Sequence, residues 1–226
     1  MKSAFSRSVR VLAALIETLL PPLDSAAPVL IAGLGSRSIT PDAVGPRSAD
    51  HVIATRHLIS RSPEFFASWR PVSVLAPGVL GQTGVETGEI VRGVLDHVRP
   101  RAVIAIDALA AGRLSRLVRT VQLADTGIVP GSGVNNARAA LDRQTLGVPV
   151  LSIGVPTVAD GGSLAHEIAQ QLDGAQCEAL DDLSQPFIIT TRDIDREVAD
   201  TARLIGYAVN MALQHISVEE IDLYLS

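Results

Sequence analysis

Val29-Leu30-Ile31-Ala32-Gly33-Leu34 and Ala102-Val103-Ile104-Ala105-Ile106-Asp107 are the two stretches that decide the fold. Both are apolar almost throughout, the pattern of a strand covered on both faces; a half-exposed strand alternates apolar with polar residues. Outward from them, residues 72–75, 148–153 and 187–190 carry the same β-branched character and read as strands. Helical apolar spacing fills the intervals at 48–59, 87–98, 113–121, 163–172 and 193–214, and residues 174–186 form the most loop-like stretch. Strands alternating with helices predict an α/β fold: a single three-layer domain with a mostly parallel sheet of about five strands. In such a sheet ligands sit at the carboxyl ends of the strands, which singles out the loops at 33–46, 77–88 and 107–112. A Gly/Asn-rich segment, 125–136, is expected to fold over the same edge.

Hydrophobic residues make up 47% of the 226 and charged residues 19%, enough apolar material for a packed core and too little charge for disorder. Nineteen basic against twenty-four acidic side chains leave a formal charge of −5, and no Lys/Arg run marks a phosphate-binding stripe. Direct nucleic-acid binding is not expected. Cys177 has no intrachain partner for a disulfide, and no Cys/His spacing matches a zinc site, which fits a reducing cytoplasm.

Lys2, Arg7 and Arg10 precede an apolar stretch, the layout of a secretion signal, but Glu17 and Thr18 interrupt it. Leu12, Leu15, Ile16 and Leu19 instead predict an amphipathic helix over about 8–20, stopped by Pro21-Pro22. Its apolar stripe must pack on its own domain or on another subunit. No run of about 18 uninterrupted apolar residues follows, so no transmembrane helix is expected.

Several motifs fail on inspection. Gly33-Leu34-Gly35 opens a dinucleotide fingerprint whose third glycine would fall on Ser38. Ser132 has Pro130 where a nucleophile elbow needs glycine. His51, His57, His97, His166 and His215 show no triad spacing, and Cys177 lacks a basic neighbour to activate it. Asp125-Thr126-Gly127 spells the aspartic protease motif, which works as two copies across a β-rich interface; one copy in an α/β chain suits an Asx turn better.

The informative pair is Asp42, in Thr40-Pro41-Asp42-Ala43-Val44-Gly45-Pro46, and Asp107. Asp107 is expected to end an apolar strand, where a carboxylate has no packing purpose and usually faces a site. Asp42 lies in the adjacent loop, stiffened by Pro41 and Pro46. At about 4 Å separation and an effective dielectric near 20, two carboxylates repel by about 4 kcal/mol, about three pKa units. One then holds a proton at neutral pH, so the pair supplies a base for water and an acid for a leaving amine. Taken alone, either aspartate also suits a helix N-cap or a turn, and both readings stay open.

The segments 33–35 with 39–46, Thr55-Arg56-His57-Leu58, Arg70-Pro71-Val72-Ser73, Ala76-Pro77-Gly78-Val79, 81–87, 105–110, 125–127 with 130–134, 146–150 and 153–158 occur in an order that resembles the spore germination protease family. The resemblance runs from about Val29 into the C-terminal helix. It implies an atypical aspartic endopeptidase that degrades small acid-soluble spore proteins in the cytoplasm of the spore core, as a homo-oligomer. The implied fold is shared with hydrogenase maturation proteases. The family's two functional aspartates fall on Asp42 and Asp107, and no cofactor or metal is implied. A non-catalytic peptide-binding relative and a nickel-recognising maturation protease are the contrasting readings. The segment before Val29 is shorter than the family's N-terminal region. It is therefore expected that activation does not require trimming a long pro-segment, and that removing residues 1–8 changes activity little.

Overall fold

The computed structural model describes residues 2–131, 138–162 and 187–226. Among the described residues six strands form one sheet: β1 (Val29–Leu34), β2 (Val72–Gly78), β3 (Ala102–Ala111), β4 (Gln122–Ala124), β5 (Val150–Asp160) and β6 (Ile188–Ile189). Their order is β2-β1-β3-β5-β4, with β6 also on β5. The first four strands by position run parallel, while β4 and β6 pair antiparallel with β5. The α/β class and mostly parallel sheet are as the sequence predicts. The chain moves from β1 to one side, reaching β2, then crosses to the other side at β3, so the strand order reverses between β1 and β3. In open parallel sheets such a reversal marks where ligands bind, outside the carboxyl ends of the strands.

Alternation along the buried strands feeds two cores. Val29, Ile31, Ile104, Ile106, Leu151 and Ile153 pack under α1 (Lys2–Leu19), α2 (Val44–Asp50) and the long C-terminal helix α8 (Ile194–Gln214). On the other face Leu30, Ala32, Val103, Ala105 and Val150 pack under α6 (Thr87–Val98) through Val91 and Leu95. The short helices between are α3 (Arg56–Arg61), α4 (Pro63–Phe66), α5 (Leu80–Thr83) and α7 (Arg143–Leu146); α9 (Val218–Leu225) ends the chain.

Several boundaries differ from the sequence reading, each for a local reason. The N-terminal helix already runs at Lys2, and its inward stripe is Val9, Leu12, Ala13 and Ile16; Leu15 is 47% exposed. The stripe is covered by the chain's own α8. Phe5, ahead of the expected stripe, stacks edge-on against Tyr207 with the Arg203 guanidinium over its ring. The helix expected at 48–59 breaks in two because its middle is bonded elsewhere. Asn210 accepts from Ile53 N–H and donates to the His51 carbonyl, and Thr55 N–H donates to the Val72 carbonyl. Residues 113–121 form only a 3-10 turn, Leu114–Arg116: Val118 takes φ +52 and donates its N–H to the Pro156 carbonyl, geometry that no helix continues. β3 and β5 outrun their apolar cores because they pair with each other as far as Ala111 and Ala159. The strand expected at 187–190 shrinks to Ile188–Ile189, and the helix expected at 163–172 and the loop at 174–186 lie outside the described residues.

Candidate active site

β1 stops pairing with β3 at Gly33 opposite Ile106, and the next residue of β3 is Asp107. The strand expected to end at Asp107 instead continues beside β5, with Asp107 opposite Gly154. Asp107 nevertheless stands at an end, because it is the first β3 residue without a β1 neighbour. A turn from the β1 loop comes in alongside, and the Asp42 segment packs on both β3 and β5.

Glycines make that approach possible. Gly35 takes φ +104, and a Cβ there would lie 2.1 Å from the Asp42 carbonyl oxygen. The turn it makes sends Ser36 N–H onto Asp42 Oδ2 at 2.7 Å. Asp42 closes a 3-10 turn, Thr40–Asp42, with Pro41 supplying a fixed φ at its start. Gly45 at the head of α2 is wedged so tightly that a Cβ would lie 2.2 Å from the Leu34 carbonyl oxygen and 2.4 Å from that of Ile106. Thr40 Oγ1 donates to Asp195 Oδ1 at 2.8 Å, fastening the turn to the first turn of α8.

The two carboxyl groups differ electrostatically. Asp107 is 4% exposed and accepts Ala108 N–H on Oδ1 at 2.9 Å. Burial, and then the negative charge of Asp42, push its carboxyl up to about 7. Asp42 is half-buried; burial raises its carboxyl too, opposed by the Ser36 N–H that stabilises the ionised form. A buried acid thus sits beside a carboxylate held by a backbone donor, the division of labour that general acid–base chemistry needs.

Other candidates are not brought to this site. Asp125 is exposed and follows β4, whose Gln122 lies opposite the same Gly154 that faces Asp107. Because β4 runs antiparallel, three further residues carry Asp125 about 10 Å towards the amino edge and about 10 Å across the sheet. Its Thr126-Gly127 sequel is a turn in which Gly127 takes φ +86 and a Cβ would meet the Leu141 carbonyl oxygen at 2.3 Å. The segment after it therefore does not begin at the carboxyl edge, as the sequence reading expected, and Ser132 lies outside the described residues, as do His166 and Cys177. His51 caps α2 with its ring against Tyr207, and burial pushes its imidazole down. His57 and His97 are exposed on α3 and α6, and His215 pairs with Glu17 at 3.5 Å. A cavity of about 590 Å³ between α1 and the α8–α9 corner contains neither aspartate. Among the described residues no three His, Cys, Asp or Glu side chains converge to hold a metal, and no helix is long and apolar enough to cross a membrane.

Residues 3–173 match the germination protease family. This chain belongs to that family. It is 40% identical over 235 residues to the germination protease of Caldanaerobacter subterraneus subsp. tengcongensis, covering 92% of this chain and 72% of that one. Against the Clostridium acetobutylicum germination protease the figures are 37% over 232 residues, 90% and 71%. The Bacillus subtilis germination protease is 52% identical over 139 residues, 61% of this chain and 38% of that one. Among solved structures, the [NiFe] hydrogenase maturation protease HycI of Thermococcus kodakarensis KOD1 aligns with a TM-score of 0.46 and 16% identity, over 86% of this chain and 98% of that one. Membership of the germination proteases makes the chain a peptidase by family.

Three partners of the site escaped sequence reasoning: the Ser36 N–H on Asp42, Asp195 on Thr40, and Gln82, whose Nε2 donates to Ser36 Oγ. Gly35 was the available signal for the first, since a glycine just past a buried strand often turns a backbone donor towards the strand end. Asp195 is 155 residues from its partner Thr40, and nothing local announces it.

Proposed function

We propose that this germination protease is an endopeptidase that cleaves small acid-soluble spore proteins in the spore core, with Asp42 and Asp107 acting as an acid–base pair on one water. The observation that carries the reading is the unlike pair: Asp107 buried with its carboxyl near 7, beside Asp42 held by the Ser36 N–H. Asp42 as carboxylate takes a proton from water while the water oxygen bonds to the scissile carbonyl carbon. Asp107 gives its proton to the carbonyl oxygen, which completes a neutral tetrahedral diol. Asp42 then hands its proton to the amide nitrogen, the carbon–nitrogen bond breaks, and a diol hydroxyl returns a proton to Asp107. Both carboxyl groups end as they began, so no co-reactant is needed.

The test is incubation of purified protein with a small acid-soluble spore protein across pH 5 to 8, read by mass spectrometry. Discrete internal cleavage that disappears in Asp42→Asn is the expected result. Binding with intact substrate at every pH would make the protein a peptide-capturing relative and overturn the proposal. A homo-oligomer belongs to the same reading.

A further inference from the structure

Gln82 lies on α5, in the loop after β2, and reaches across to the loop after β1. Its Nε2 donates to Ser36 Oγ at 2.8 Å and to Ser38 Oγ at 3.0 Å. Ser38 N–H also donates to Ser36 Oγ at 3.3 Å, and the two hydroxyl oxygens are 2.9 Å apart. A hydroxyl oxygen accepts two hydrogen bonds. Ser36 Oγ is filled by Gln82 and the Ser38 N–H, so its own hydrogen goes to Ser38 Oγ. That oxygen is then filled by Ser36 and Gln82. That assigns every donor in the cluster except the Ser38 hydroxyl, and one carboxamide orders both serines. Ser36 is fully buried, and its backbone N–H is the group that holds Asp42.

We propose that Gln82 is a positioning residue for the aspartate pair, tying the Ser36–Ser38 turn so that Ser36 N–H is held on Asp42. The inference rests on the reading of Asp42 and Asp107 as the reacting pair. The carboxamide touches neither carboxylate; it acts through Ser36. Three other elements reach the same turn with charged groups: α2 through Asp50, which accepts from both Nη1 and Nη2 of Arg37 between the two serines, β3 through Asp107, and α8 through Asp195 at Thr40. None bonds to Gln82 or to the two serines, so the Gln82 link can be cut while they stay in place.

Gln82→Met keeps the reach and loses both donors. Because Gln82 is exposed, the variant is expected to fold as the parent does. Two readouts are compared with the parent: steady-state cleavage of a small acid-soluble spore protein, and NMR titration of the Asp42 carboxyl carbon. The expected result is a kcat lower by about 10- to 100-fold with KM nearly unchanged, and an Asp42 titration midpoint moved upward as the stabilising N–H loosens. Ser38→Ala should move both in the same direction by less. An unmoved Asp42 titration overturns the proposal, as does a raised KM with kcat intact, which would make Gln82 a substrate contact. Asp42→Asn is run beside them: full turnover there would sink the aspartate pair itself, while the carboxyl titration in Gln82→Met still decides the positioning link.

Discussion

Asp107 comes one residue after the last β3 position that pairs with β1, and this step makes a strand carboxylate available to the Asp42 turn. General acid–base help is worth about 10²–10⁴-fold in rate, so Asp42→Asn and Asp107→Asn should each lose about that much turnover with far-ultraviolet circular dichroism unchanged. Asp125→Asn should lose less than about twofold, because Asp125 lies across the sheet from the pair; equal loss would mean that its motif does the chemistry. The pH profile follows from the same residues. In the proposed mechanism activity requires Asp42 ionised and Asp107 protonated, so kcat/KM should rise on the acid side as Asp42 loses its proton. It should fall on the alkaline side near 7, where Asp107 loses its own. A profile still rising at pH 9 would reverse the assignment of acid and base.

Between elements the decisive contact is the head of α2 against the ends of β1 and β3. Gly45→Ala puts a methyl group within 2.4 Å of two strand carbonyls, and backbone cannot yield there without moving the Asp42 turn. A loss of about 3 kcal/mol or more is expected in urea unfolding, alongside loss of activity. A second element-scale change is Phe5→Ala, which removes the ring from Tyr207 and Arg203. About 1–2 kcal/mol should go with it, so removing residues 1–8 should lower the melting temperature even where activity survives. These contacts mark the limit of what was legible. Val29–Leu34 and 102–106 announced buried parallel strands through their unbroken apolar runs, and the loops that follow them named Asp42 and Asp107. The break at His51–Thr55 was hidden because its cause is Asn210, over 150 residues away. The 3-10 turn at Leu114 was hidden because Val118 gives up helical geometry for a bond to Pro156, a tertiary partner that no window of residues contains.

At the scale of the whole molecule, the apolar stripe of α1 is covered by α8 within the chain, so it does not require a second subunit. The proposed homo-oligomer would then form through another surface, and in that case sedimentation should return a multiple of 23.7 kDa; a monomer mass would remove assembly from the proposal. Global stability carries a second signature of the site. The Asp107 carboxyl sits at about 7 when folded and near 3.8 when exposed. Between those values the native state holds a proton that the unfolded chain has released, so the unfolded state binds fewer protons and stability falls as pH rises. The contribution is fully present below about pH 4 and is lost as pH passes through 7. Three pKa units correspond to about 4 kcal/mol. Asn at position 107 cannot ionise. Asp107→Asn should therefore be about as stable as the parent near pH 4 and markedly more stable at pH 8, by denaturant unfolding at each pH. Ionising Asp107 also places two like charges together, so Asp42→Asn should flatten the same slope in part, removing the repulsion but leaving the burial. A parent and an Asp107→Asn variant that stay parallel from pH 4 to 8 would show that Asp107 is ionised throughout, and the acid of the proposed pair would be lost with it.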